Sequence, residues 1–183
     1  MARSGTVDAQ PRHRLRRGIA IASVVVAVLA VLAAIAWFTV VPYALANLTT
    51  RVLEADESVE VGTGSVVVPA GWAVQHPPFE PETVVLITPD GGLEIAVSES
   101  GEAPDAALAA VGATGAPQHE TLGNGLRAAH LRTGTDRIDV ALAAGDAPPS
   151  LVFSARATGG DITPYTRAIA GILDGAVMGP GAP

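Results

Sequence analysis

The sequence predicts an α+β fold: an antiparallel β-sheet with two helices packed on one face, preceded by one N-terminal transmembrane helix. Three observations predict it. Residues 19–41 form an apolar run without a single charge, whose only polar side chains are Ser23 and Thr39. Between 58 and 157, short segments alternate apolar and polar residues and are separated by Gly- and Pro-rich turns, the pattern of strands buried on one face. Two further stretches, 103–111 and 163–173, have the composition or the spacing of helices.

The apolar run comes first. At about 1.5 Å per residue, a helix over 19–41 spans the roughly 30 Å hydrocarbon core of a bilayer. Arg12, Arg14, Arg16 and Arg17 precede it and mark the cytoplasmic end, while Trp37, Phe38 and Tyr43 lie where the opposite interface falls. Ala44, Leu45 and Ala46 look like a signal-peptidase site with Pro42 just before it. The apolar part of a signal peptide is shorter, about 7–15 residues, so an uncleaved anchor is the preferred reading. The boundaries are a basic cytoplasmic tail at 1–17, a transmembrane helix at 18–42, a stalk at 43–57, an extracytoplasmic domain at 58–176 and a disordered tail at 177–183.

Within the domain, 59–61 and 65–68 flank Gly62, Thr63 and Gly64, which turn a hairpin. Pro69, Ala70 and Gly71 then break the strand ahead of Trp72. A second hairpin joins 83–88 to 93–98 through Pro89, Asp90, Gly91 and Gly92, because Asp-Gly supplies the positive backbone dihedrals of a tight turn. In its second arm Leu93, Ile95 and Val97 share one face, with Glu94, Ala96 and Ser98 on the other. Residues 103–111 read as an alanine-rich helix with Pro104 and Asp105 in its first turn. Strands at 126–132, 136–143 and 150–157 follow as an antiparallel meander. Thr163 as N-cap and Pro164 at the first helical position open the closing helix. Its stripe of Tyr165, Ala168, Ile169, Ile172 and Leu173 needs a sheet to lie on.

Charge divides along the chain. Residues 1–17 carry five arginines against Asp8, whereas 51–183 carry six arginines against seventeen Asp and Glu. An acidic outer module disfavours nucleic acid and anionic headgroups, so no nucleic-acid partner is expected. The chain contains neither lysine nor cysteine. That removes Schiff-base and P-loop lysines, thiol catalysis, disulfides and a lipid-bearing cysteine.

Chemical motifs are sparse. No Gly-x-Ser-x-Gly elbow occurs, and Gly62 to Ser65 read as a polar turn. His76, His119 and His130 lack the spacing that sets two imidazoles on one metal. Asp136, Asp139 and Asp146 lack the calcium-loop pattern and read as solvated strand ends. No catalytic, cofactor or metal site is therefore expected. Trp72 either packs in the sheet core, the preferred reading, or stands at the rim of a groove. The proline-rich stretch after it is a stiff crossover, or a loop that costs little to order against a partner. The candidate partner-binding residues are Trp72, His76 and Phe79.

Segment 65–72 reads Ser-Val-Val-Val-Pro-Ala-Gly-Trp and is followed by the Pro89-Asp90-Gly91 hairpin, a helix, a meander and a closing helix at 169–173. In this order the chain resembles small extracytoplasmic domains of high-GC Gram-positive bacteria, and more narrowly the LpqN-like group, which shares the PsbP-like fold. The resemblance covers 58–176. It implies a non-enzymatic envelope module that binds a protein partner or supports an assembly. Members of that group are typically lipoproteins, and this chain departs from them in using a transmembrane segment. The expected function is a membrane-anchored module for protein interaction in the cell envelope, amino terminus inside. The alternative is a small-molecule or lipid carrier or sensor with a pocket between sheet and helix; an enzyme would need a histidine beside a carboxylate or serine.

Overall fold

The computed structural model describes residues 28–35, 50–78 and 80–179. The chain divides into two units, 1–44 and 45–183. In the first, the described residues 28–35 are helical and are called α1. Val28, Leu29, Val31, Leu32 and Ile35 are all more than half exposed there. Most of the expected span at 18–42, and all of the tail at 1–17, lie outside the described residues. Among the described residues no helix is long and apolar enough to cross a membrane.

The second unit is built on an antiparallel sheet of eight strands. They are β1 (Thr50–Val52), β4 (Ala73–Gln75), β5 (Thr83–Ile87), β6 (Leu93–Ser100), β7 (Gln118–Thr121), β8 (Arg127–Thr133), β9 (Arg137–Ala143) and β10 (Ser150–Ala157), in the order β1-β4-β5-β6-β10-β9-β8-β7. A smaller sheet comprises β2 (Glu57–Val61), β3 (Gly64–Val68) and β11 (Ala176–Val177), in the order β11-β3-β2. Two helices complete the unit: α2 (Pro104–Ala110) and α3 (Thr166–Asp174), the latter entered through a 3₁₀ turn at Thr163–Tyr165.

The alternation read from the sequence decides what each face of the large sheet carries. Leu93, Ile95 and Val97 of β6 point the same way as Val140 and Leu142 of β9 and Leu151, Phe153 and Ala155 of β10. This face forms the main core, closed by Val59, Val61, Val66 and Val68 of the small sheet and by Ile169, Ile172 and Leu173 of α3. Burying each of those three α3 side chains contributes roughly 1.5–3 kcal/mol. Ala129, Ala141 and Val152 point the other way and pack against Ala107 and Leu108 of α2.

The expectation that both helices lie on one face is therefore corrected. Successive strand residues project to opposite sides of a sheet. Val140 meets the core under α3, and its neighbour Ala141 meets α2. Alanines at 129 and 141 leave room for the short helix on the second face.

Three other expectations change. Residues 50–52, assigned to the stalk, pair with β4 as Thr50↔Gln75 to Val52↔Ala73, and Arg51 reaches Glu57 at 2.6 Å. Residues 177–179, assigned to the tail, belong to the fold: Val177 pairs with Ser65, and the Gly179 amide donates to the Thr63 carbonyl at 3.2 Å. Thr163 is not the cap of the closing helix. Asp161 accepts the Thr163 amide at 2.9 Å and takes that role, because Thr163 already lies inside the 3₁₀ turn.

Candidate functional site

The core-side row of the large sheet runs outward from Phe153 through Val140 to His130 and ends at Gln118 on the edge strand β7. α3 crosses this row near its outer end. Where helix and sheet diverge they leave a pocket of about 200 Å³, walled by Ile138, Val140, Ile169, Ala170 and Leu173, with Thr166, Glu120 and His130 supplying polar groups. His130 Nε2 lies 3.3 Å from Gln118 Oε1, its direct cross-strand neighbour. Its Nδ1 is buried, has no hydrogen-bond partner among the described residues, and faces Glu120 Oε1 at 3.6 Å.

The position of α3 over this pocket is fixed from the loop between β7 and β8. The Asn124 side-chain amide donates to the carbonyls of Leu173 (3.0 Å), Asp174 (3.2 Å) and Ala176 (3.0 Å), while its oxygen accepts the Leu126 amide. These are carbonyls that a helix end leaves without intrahelical partners. Asn124 thus caps α3 from outside the helix and holds Leu173 in the pocket wall. Only its place between Gly123 and Gly125 hinted at a special turn.

The opposite face carries separate polar groups. His119 faces Asp105 of α2 at 3.7 Å, and Arg127 pairs with Asp146 at 2.7 Å, around a second hollow of about 250 Å³. Further along, Asp139 is fully buried. Its Oδ1 accepts from Arg137 Nε at 2.9 Å and from the Ser154 hydroxyl at 2.7 Å, and the same arginine donates to the Val111 carbonyl at 3.3 Å just beyond α2. The reading of Asp139 as a solvated strand end is corrected, because its register places it beneath the end of α2. Asp136 and Asp146 are partly or largely exposed.

His119 and His130 cannot share a ligand. Gln118 pairs with His130 and His119 with Ala129, so the two imidazoles project to opposite faces. Trp72 is 6 % exposed and belongs to the core cluster, so it is not at a groove rim. His76 is exposed just after β4, and Phe79 lies outside the described residues. The structure therefore does not bring Trp72 and His76 together on a surface, and it offers the pocket under α3 instead. Among the described residues no group of three His, Cys, Asp or Glu side chains is placed to hold a metal ion.

Comparison with protein-family models, with curated proteins and with solved structures finds no match to this chain.

Proposed function

We propose that this chain is a single-pass membrane protein, amino terminus in the cytoplasm, that presents its α+β module outside the cell for non-enzymatic protein interaction in the envelope. The observation that carries the proposal is the exposed apolar helix. α1 directs Val28, Leu29, Val31, Leu32 and Ile35 outward within an uncharged run that follows four closely spaced arginines. Such side chains are stable in contact with lipid. The resemblance to the LpqN-like group, with its PsbP-like fold, supports the same address and role.

Two features favour binding over catalysis. The imidazoles of His119 and His130 sit on opposite faces, each beside one partly exposed carboxylate. The concave feature under α3 is small and apolar, the character of a site for a single anchoring side chain. The same pocket gives the carrier or sensor reading its one supporting observation. Its 200 Å³ falls below the roughly 300–1,000 Å³ of pockets that enclose drug-sized ligands, which favours a protein partner over a lipid.

The test is site-specific photocrosslinking in native membranes, with the probe placed at Ala170 beside the pocket and at Ala147 on the far face. Discrete adducts with an envelope protein from Ala170, absent from Ala147, support the proposal. Identical adduct patterns from both positions overturn it.

A further inference from the structure

We infer that the pocket under α3 receives the side chain of a lysine from a partner protein. The inference rests on the protein-interaction reading and names the chemistry of that contact. The floor and walls are aliphatic: Ile138, Val140, Ile169 and Leu173. Two acceptors converge at the open end. One is the Glu120 carboxylate, which accepts only and is 56 % exposed. The other is His130 Nδ1, buried and without a hydrogen-bond partner among the described residues, 3.6 Å away.

An occupant must therefore combine an apolar stem with a compact group carrying several donors. Lysine has four methylenes ending in an ammonium with three donors. Norleucine matches the stem but leaves both acceptors bare. Arginine carries its donors in a rigid plane that suits both oxygens of one carboxylate better than acceptors from two different residues.

The chain itself contains no lysine, so neither its own segments nor a second copy supplies the occupant. The acidic excess of residues 51–183 draws a basic partner toward the module. Glu120 has no arginine within ion-pair distance among the described residues.

The full-length protein, held in nanodiscs of uncharged phosphatidylcholine, is titrated with the peptide acetyl-Gly-Leu-Lys-Leu-Gly-amide and followed by methyl NMR. The expected result is saturable shifts at Ile138, Ile169 and Leu173. The norleucine peptide and the Glu120→Gln protein should each bind about tenfold more weakly, near 1.4 kcal/mol. Equal binding of the two peptides, shifts confined to other residues, or no shift up to about 20 mM would overturn the inference. So would tighter binding of free hexylamine than of the lysine peptide, which would assign the pocket to small amines. A photocrosslinked partner retained undiminished by Glu120→Gln would remove the lysine contact and leave the interaction module standing.

Discussion

The Tyr165 hydroxyl donates to Asp90 Oδ2 at 2.9 Å, joining the turn of the β5–β6 hairpin to the entrance of α3 across 75 residues of sequence. The Thr88 hydroxyl, at 2.6 Å, and the Gly92 amide, at 3.0 Å, both donate to the other oxygen of Asp90. One carboxylate thus orders a hairpin turn and positions the helix that walls the pocket.

This arrangement predicts a pH signature. The Thr88 hydroxyl first, then the Gly92 amide and the Tyr165 hydroxyl, hold the Asp90 carboxyl below its usual 3.8. Its contribution to stability is present above 3.8 and is lost as pH falls through the folded value. The hydrogen bond to Asp90 pushes the Tyr165 phenol above 10.0, so its contribution is present below 10.0 and is lost as pH rises through the folded value. Thermal melts across pH should show both losses. Tyr165→Phe should abolish the alkaline one and reduce the acid one, and an unchanged profile would contradict the link.

A Cβ on Gly92 would overlap the Tyr165 hydroxyl. Gly92→Ala should therefore destabilise by about 1–3 kcal/mol. In the Tyr165→Phe background the same change should cost less, because the group it strikes is gone. A double-mutant cycle in denaturant measures the difference, and strictly additive costs would contradict the contact.

Asn124→Ala should destabilise by about 1–3 kcal/mol, since three carbonyls at the end of α3 lose their donor. Hydrogen exchange should rise first at Ile172 and Leu173. Protection left unchanged there would show that the cap is dispensable.

Much of this fold was legible in the sequence. Period-two alternation located β5, β6, β8, β9 and β10 to within a residue or two, because each strand separates a buried face from a wetter one. The short strands were not legible. β1, β4 and β11 are two or three residues long, too short for any period to show. β7 is exposed at all four positions and has no apolar face to mark it. The placement of the helices on opposite faces depends on alanines at 129 and 141, which look apolar on either side. Trp72 read as a core residue or a rim residue, and its burial decides for the core. The pocket is a product of topology, since 10 residues separate Glu120 from His130 and 39 separate His130 from Ile169.

The buried Asp139 supplies another test. Asp139→Ala should cost roughly 2–4 kcal/mol, because Arg137 and Ser154 lose their acceptor and the tie to Val111 loosens. Replacing both partners, as Arg137→Met with Asp139→Leu, should cost less than the single change. Chemical denaturation separates the cases, and a double variant worse than Asp139→Ala would contradict this account of the pair.

The central claim is a module held outside the membrane by residues 18–42, and the absence of native cysteine makes it directly measurable. Single-cysteine variants Ser4→Cys and Ala147→Cys are treated in intact cells with a membrane-impermeant maleimide. The account predicts labelling of the Ala147→Cys protein in intact cells, and of the Ser4→Cys protein only after permeabilisation, with the chain remaining in the membrane fraction. Protection of Ala147→Cys in intact cells would contradict it.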